Sequence, residues 1–277
     1  MSGEKLQKAL ADHGLGSRRE MERWIEAGRV KVDGEPAHTG QRVSETAVIE
    51  VDGRKLRRRA ADTCRVLVMN KAVGLICSRS DPEGRKTVFE GLPKLQRGRW
   101  VAVGRLDVQT SGLLLLTNDG TLANKLMHPS TGLDREYAVR VDGELTEEEI
   151  ETLKRGVLID DVHCQFSDLQ HYDGRGRNHW YHAVLMEGRN HEVRNLFAAI
   201  GRAVSRLKRV RYGPVVLPAH LRAGKVAEMS PADVESLCGL VGVAYRAPPK
   251  PRRTGKAQGR KKEAESMLLP YPEIGER

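Results

Sequence analysis

The chain has 277 residues, a formal net charge of +10 and an isoelectric point near 9.6. Its length allows one sizeable domain and a smaller one, and its excess of basic residues favours a polyanionic partner, most commonly nucleic acid. Aromatic residues make up only 4% of the chain, which argues against a surface that stacks many bases along an extended strand. The sequence has no apolar run of the roughly 18 residues that span a bilayer and no signal-peptide core, so we expect a cytoplasmic protein without membrane contact.

The cysteines and histidines do not predict a metal site. The four cysteines are scattered without a C-x-x-C pair, at Cys64, Cys77, Cys164 and Cys238. This spacing indicates neither a zinc site nor a disulfide framework, and it favours a reducing compartment. Several histidines fall between residues 163 and 182, but their spacing matches no ligand pattern, and strand alternation separates His179 from His182. Glycine-rich phosphate-binding motifs are also lacking, so we expect neither a metal nor a nucleotide cofactor.

The first fifty residues predict a compact module of two short helices and a small strand layer, at residues 3–53. Residues 4–13 have helical spacing, and S-R-R-E at 17–20 is a capping box for a second helix. Asp33-Gly34 is a strong hairpin signal, and a further strand is expected at 48–51. Residues 54–62 are basic and carry little structural signal, so we interpret them as a linker to a second domain at 63–245.

Basic residues cluster around the second helix of the module and the strand that follows it. They are Lys5, Lys8, Arg18, Arg19, Arg29 and Lys31. Such a cluster is either a solvated face or a surface that holds phosphate groups.

The most informative stretch lies near the middle of the chain. Apolar runs at 101–103 and 113–116 predict two buried strands, joined by the tight polar corner G-R-L-D-V-Q-T-S-G at 104–112. Asp107 is therefore held at the end of a rigid strand, close to Arg105. An aspartate in such a corner is by itself most often a turn residue, so its interpretation depends on the rest of the chain.

Further elements are expected on both sides of this corner. Strands at 65–69 and 74–77 precede it and are followed by a polar loop at 79–99, which is long enough to suggest a role in binding. Beyond the corner, Thr121 is expected to cap a short helix. Later elements are a strand at 135–141 that carries Tyr137, a capped helix at 146–156, strands at 157–159, 164–172 and 180–186 with a turn at 173–176, and a last helix at 231–241.

A turn followed by a helix is expected at 187–201, with Arg189 in the turn and Arg194 on the helix. The next strand, at 204–213, carries Leu207 among several cations. These cations are Arg206, Lys208, Arg209 and Arg211. A strand so highly charged is difficult to bury, so we expect it at a sheet edge beside a polyanion.

The end of the chain, residues 246–277, has a basic composition without apolar periodicity and is predicted to be a disordered tail. A weakly apolar patch at 267–269 offers a docking segment, but the sequence does not indicate where it would dock.

Several segments resemble pseudouridine synthases that modify ribosomal RNA, most closely the large-subunit type B. They are G-R-L-D-V-Q-T-S-G, R-E-Y-A-V-R-V and E-G-R-N-H-E-V-R-N-L with the basic strand behind it. The front segments G-S-R-R-E and A-G-R-V-K-V-D-G are similar to the RNA-binding module named after a small-subunit ribosomal protein. Together the resemblance covers about residues 3–230. It implies an α+β fold: a small N-terminal RNA-binding module, then a catalytic domain with a mixed, mainly antiparallel sheet flanked by helices.

The resemblance also implies roles for individual residues. Asp107 would be the essential catalytic residue, and Arg105 would help to displace the target base. Tyr137 would stack on the flipped uracil and assist removal of the C5 proton, while Leu207 would line the uracil pocket. Arg194 would pair with the catalytic carboxylate, because an adjacent arginine stabilises the ionised form. The cations of the module, together with Arg189, Arg206, Lys208 and Arg209, are expected to contact RNA.

The implied reaction is isomerisation of one uridine in large-subunit ribosomal RNA to pseudouridine, on a base flipped out of the stack. A monomer that needs neither cofactor nor metal is expected. Asn195 is a departure, because a second basic residue commonly follows the arginine of this motif, and a peripheral phosphate contact is therefore in doubt. Two alternatives stay open: a non-enzymatic RNA-binding or ribosome-assembly factor, and a pseudouridine synthase that acts on small-subunit or transfer RNA.

Overall fold

The computed structural model describes residues 3–56, 63–248 and 266–272. Residues 57–62 of the predicted linker and most of the predicted basic tail lie outside these ranges. Within the described residues no helix is both long and apolar enough to cross a membrane. All four cysteines are free thiols.

The N-terminal module packs two helices against short strands. Its elements are β1 (Glu4–Lys5), α1 (Leu6–Asp12), α2 (Arg18–Glu26), β2 (Val30–Val32), β3 (Glu35–Pro36), β4 (Arg42–Val43), β5 (Ile49–Val51) and β6 (Arg54–Lys55). Ser17 and Glu20 form the predicted capping box, and the predicted hairpin at Asp33 joins β2 to β3. The module's antiparallel sheet has the order β3-β2-β5-β6, so it continues through Arg54–Lys55, which the sequence analysis assigned to the linker.

The larger body is built on a mixed, mainly antiparallel sheet, as expected for an α+β protein. Its strands are β7 (Val66–Lys71), β8 (Val101–Val103), β9 (Ser111–Thr117), β10 (Arg135–Asp142), β11 (Val157–Ile159), β12 (Val162–Cys164), β13 (Asp168–Arg175), β14 (Asn178–Leu185), β15 (Val204–Tyr212), β16 (Val215–Val216) and β17 (Val226–Glu228). Its helices are α3 (Gly120–Met127), α4 (Glu147–Arg155), α5 (Glu192–Ala199) and α6 (Pro231–Leu240).

The central strands follow the order β13-β14-β10-β15-β9-β7-β17, with β15 and β9 parallel and the other neighbours antiparallel. β7 and β9 are buried on both faces, which explains why they read as continuous apolar runs. One face packs against α4 and α5, and the other packs against α3 and α6.

Several local expectations are wrong. Residues 74–77 form only an isolated bridge between Ile76 and Thr87. The helix α3 is capped by Asp119, whose carboxylate accepts hydrogen bonds from two backbone N–H groups, and not by Thr121. The hairpin between β13 and β14 turns at Gly176, later than predicted, because Arg175 pairs with Asn178.

The charged strand β15 does not lie at an edge, because β10 and β9 pair with its two sides. Internal partners make this burial possible. Arg209 is buried and donates from Nε to the Leu113 carbonyl at 2.8 Å. Arg211 donates to the carboxylates of Asp134 and Glu136, and these contacts raise its pKa above the ordinary value although burial acts in the opposite direction.

Part of the predicted tail is ordered against the domain. Leu268 bridges Val215, and the backbone N–H of Val216 donates to the Met267 carbonyl at 3.0 Å. The hydroxyl of Tyr271 donates to Asp134 at 2.6 Å. Met267 and Leu268 of the apolar patch therefore dock beside β16, because their side chains pack against the core formed with α3 and α6, whereas Leu269 is exposed.

Candidate active site

The corner that carries Asp107 is fixed through its backbone. Lys71, the last residue of β7, is fully buried, and its Nζ donates hydrogen bonds to the carbonyl oxygens of Asp107 and Thr110 at 3.0 and 2.8 Å. The Thr110 N–H donates to the Asp107 carbonyl at 3.0 Å, and the Gly74 N–H donates to the Val108 carbonyl at 2.9 Å. These hydrogen bonds fix the backbone of the corner and therefore the point from which the Asp107 side chain extends.

Lys71 was missed in the sequence analysis. Burial lowers the pKa of Lys71 below its ordinary value, while the nearby Cys77 and Asp107 act in the opposite direction. A buried lysine is rare unless it is well hydrogen-bonded, as it is here. The available signal was a lysine at the end of an apolar strand immediately before a glycine turn.

The carboxylate of Asp107 faces the turn that precedes α5. Its Oδ2 lies 3.3 Å from Nδ1 of His191, and Nη2 of Arg105 donates to the Asn190 side chain at 3.4 Å. His191 has a φ of +54°, an uncommon conformation for a residue other than glycine. This turn brings an imidazole to the candidate catalytic acid, which the sequence analysis did not foresee although His191 lies within the R-N-H-E-V-R motif.

Arg194 does not form the expected ion pair with Asp107 within 4.0 Å in the described structure. Its Nη1 donates to the Val204 carbonyl at 2.8 Å and its Nη2 donates to the Gln109 carbonyl at 3.4 Å. Because both contacts are to backbone oxygens, Arg194 joins α5 to the start of β15 and to the corner. In this geometry Arg194 stabilises the position of the corner through hydrogen bonds.

A cavity of about 670 Å³ opens beside Asp107, and most of the residues predicted for catalysis, base flipping and the uracil pocket line it. Tyr137 from β10 and Leu207 from β15 line it, and they are only 8% and 5% exposed. Arg105 and Arg189 line the same cavity from the corner and from the turn before α5. A second cavity, lined by Arg194, shares Asp107 and Arg105 with the first.

Positive charge dominates the polar lining of the main cavity. Its arginines are Arg79, Arg99, Arg105, Arg135, Arg189 and Arg209. Burial lowers the pKa of Arg79 and of Arg99, and the proximity of Arg99 lowers that of Arg79 further. Because Arg79 and Arg99 lie at the ends of the polar loop at 79–99, this loop contributes to the site. The cavity suits an anionic ligand that carries an apolar group.

The predicted RNA contacts on β15 differ in accessibility. Arg206 is exposed and Lys208 is half-buried, so both can reach a ligand. Arg209 is only 3% exposed, although it lines the cavity. It is therefore not a surface phosphate contact as predicted, because its guanidinium supports the sheet at Leu113.

The cations of the module also divide into two groups. Lys8 is paired with Glu4 and Asp12, and Arg29 is paired with Asp52. The others are exposed and have no ion pair within the described residues: Lys5, Arg18, Arg19 and Lys31. This second group is the part of the cluster that is available to an external anion.

A groove of about 310 Å³ runs between the module and the larger body. Arg18 and Arg19 line it from the module, and Arg99 lines it from the other side. Arg99 also lines the main cavity. The backbones of Gly14 and Gly98 approach closely at this junction, because a Cβ on Gly14 would lie 3.0 Å from Gly98. The groove and the cavity that contains Asp107 therefore share Arg99 as a lining residue.

Comparison with known proteins agrees with this arrangement. Residues 65–199 match the family model of the RNA pseudouridylate synthases, and residues 4–49 match that of the S4 domain. The chain is 52% identical to the ribosomal large subunit pseudouridine synthase B of Pseudomonas aeruginosa over 99% of its own length and 72% of the relative. It is also 52% identical to the enzyme of that name from Salmonella typhimurium, over 86% of its own length and 83% of the relative.

A solved structure shares the fold. The crystal structure of a pseudouridylate synthase superposes with a TM-score of 0.59 at 26% identity, covering 85% of this chain and 100% of that one. The matched family segment contains both the corner and the helix α5 that faces it. The chain belongs to the RNA pseudouridylate synthase family.

Proposed function

We propose that this protein isomerises a specific uridine in large-subunit ribosomal RNA to pseudouridine. The observation that carries the proposal is the cavity that joins Asp107, Tyr137 and Leu207 beneath a rim of arginines. The names of the similar large-subunit enzymes support the choice of substrate.

The reaction needs one pocket that holds the base throughout. The N1–C1′ bond breaks, the uracil turns, and a C5–C1′ bond forms, while C5 loses a proton and N1 gains one. Atoms and electrons balance without an oxidant or a cofactor. A target base buried in RNA structure must be flipped out to enter such a pocket.

Each cavity residue has a proposed task. Asp107 acts on the ribose, either as the nucleophile at C1′ or as the base that removes a sugar proton. Tyr137 stacks on the uracil and assists removal of the C5 proton, and Leu207 provides an apolar wall. Arg105, which is exposed at the rim, fills the place of the displaced base.

The RNA backbone follows the cationic surface. Phosphate contacts position an RNA without reading its bases. We propose that Arg18 and Arg19 of the module bind one segment of the substrate and that Arg99 links this segment to the cavity, because the groove and the cavity share Arg99. Residues 3–53 would then hold the RNA while residues 63–245 perform the chemistry.

The remaining parts of the proposal are a monomeric enzyme in the cytoplasm and a reaction without metal or nucleotide cofactor. Sedimentation equilibrium tests the monomer, and single-turnover assays of EDTA-treated protein test the metal-free chemistry. Complete loss of turnover after EDTA treatment would refute the latter.

Release of tritium from C5-labelled uridine in transcripts made in vitro tests the function. Purified protein should release at most one equivalent from large-subunit ribosomal RNA, and much less from small-subunit or transfer RNA. Tritium release from small-subunit ribosomal RNA or from transfer RNA would show that the substrate is that RNA instead. Binding to all three RNAs without release from any would instead support a non-enzymatic RNA-binding factor.

A further inference from the structure

A pair of histidines at the outer edge of the large sheet has no part in the reaction proposed above. His171 lies on β13 and pairs in register with Tyr181 of β14, and His179 lies two residues before Tyr181. All three side chains therefore project from the same face of the sheet. Nε2 of His171 is 3.2 Å from Nδ1 of His179. Strand pairing thus joins two histidines whose linear spacing matched no ligand pattern.

The turn after β10 brings a carboxylate to the same place. The Gly143 N–H donates to the Arg177 carbonyl at 2.9 Å, and the Leu145 N–H donates to the Tyr181 hydroxyl at 2.7 Å. These contacts hold the backbone on both sides of Glu144. As a result, a carboxylate oxygen of Glu144 and one ring nitrogen of each histidine all lie within 4.8 Å of one another.

The surroundings of His179 orient its ring for a ligand. Its Nε2 lies 3.0 Å from the Gly176 carbonyl. A neutral imidazole with its proton on Nε2 donates to that carbonyl and directs the Nδ1 lone pair toward His171. Metal-ligating histidines usually donate their second ring N–H to such an acceptor. Gly174 leaves room for this atom, since a Cβ there would lie 2.3 Å from Nδ1.

We propose that Glu144, His171 and His179 form a binding site for a divalent transition metal, with Zn²⁺ as the best match. Two imidazole nitrogens on a tetrahedral zinc ion, each at about 2.0–2.1 Å, are roughly 3.3 Å apart, and the separation in the structure is 3.2 Å. Two imidazoles and one carboxylate form a donor set that zinc accepts. Glu144 and His171 are exposed, so an ion can enter from solvent and water can complete the coordination.

The site would act on stability and not on the chemistry. None of its three residues lines the cavity that contains Asp107. A bound ion would tie together β13, β14 and the turn before α4, which are otherwise joined here by hydrogen bonds. Because a ligand that binds only the folded state raises its stability, the metal should raise the melting temperature.

The test uses the full-length protein, stripped with EDTA and then freed of chelator. Isothermal titration with Zn²⁺ should give one equivalent for the wild type. His171→Ala and Glu144→Gln should each weaken binding by at least about tenfold, and both should fold normally because these side chains are exposed. His220→Ala, which changes an exposed histidine outside the cluster, is the matched control and should bind as the wild type does.

Two further readouts complete the experiment. Co²⁺ in place of Zn²⁺ should give the intense visible absorption of a four-coordinate ion in the wild type and lose it in His171→Ala. Zn²⁺ should raise the melting temperature of the wild type and of His220→Ala, but not of His171→Ala. Absence of binding, or equal binding by wild type and His171→Ala, would overturn the proposal and leave a hydrogen bond between the histidines.

Discussion

The corner around Asp107 and the N-terminal module are both rich in cations, but the two regions use them differently. At the corner, Lys71 and Arg194 donate to backbone carbonyls, and Lys71 is buried while Arg194 is half-buried. In the module, Arg18 and Arg19 are exposed beside a groove and have no ion pair in the described part of the chain. The difference indicates that the cations at the corner hold the backbone of the proposed catalytic segment, whereas the exposed cations of the module are available to RNA phosphates.

The largest effect is expected for Asp107→Asn, which keeps the size of the side chain and removes its charge. Single-turnover rates should fall by more than about 10³-fold, because the group that acts on the ribose is lost. RNA affinity should stay within about twofold, since the phosphate contacts are unchanged. Asp161→Asn, in an exposed turn, is the control. Near-normal turnover by Asp107→Asn would refute the site assignment.

The next effect is expected for Lys71→Met, which keeps the length of the side chain and removes its donors. The carbonyl oxygens of Asp107 and Thr110 would lose a charged partner, so the free energy of unfolding should fall by about 2 kcal/mol. Turnover should fall by about 10–100-fold, because a small displacement of a catalytic group is costly. Urea unfolding and single-turnover assays measure the two changes.

Lys225→Met changes an exposed lysine and should leave both quantities unchanged. A Lys71→Met protein that is less stable but fully active would show that Lys71 supports the fold without positioning Asp107.

A smaller effect is expected for Arg194→Lys. This variant separates the contribution of the positive charge from that of the hydrogen bonds to the backbone. Lysine keeps the positive charge near Asp107, but its single ammonium cannot span the carbonyls of Gln109 and Val204 as a guanidinium does. We expect a loss of about tenfold in turnover, close to the loss in Arg194→Gln. If Arg194→Lys were fully active and Arg194→Gln inactive, the electrostatic interaction between residue 194 and Asp107 would matter more than the hydrogen bonds to the backbone carbonyls.

The smallest effect on chemistry is expected for the double variant Arg18→Ala/Arg19→Ala. Losing two phosphate contacts should reduce the slope of log affinity against log salt by roughly 1.4–1.8. The single-turnover rate at saturating RNA should not change. The double variant Lys8→Ala/Arg29→Ala removes equal charge from internally paired residues and should change the slope less. Equal changes would mean that only net charge matters.

Much of the fold could be predicted from local signals. The capping boxes at Ser17 and Thr146 start α2 and α4, and Gly156 follows the last residue of α4. The alternating strand β10 and the apolar strand β9 lie where their periodicity placed them. These features depend on neighbouring residues, so the sequence carries them directly.

The errors concern contacts between distant segments. The cations of β15 argued for an edge because their partners, such as Asp134 and the Leu113 carbonyl, lie far away in the sequence. Lys71 and the corner, 36 residues apart, meet only in the folded sheet. The family resemblance predicted roles for Asp107, Tyr137 and Leu207, which line one cavity, but it did not predict the contact between His191 and Asp107.

The most direct test of the central claim is a map of pseudouridines in ribosomal RNA from a strain that lacks this protein. The account predicts that one large-subunit site stays uridine, that the wild-type chain restores it, and that Asp107→Asn does not although it is present at the same level. A map that is unchanged by the deletion, or a site restored equally by Asp107→Asn, would contradict it.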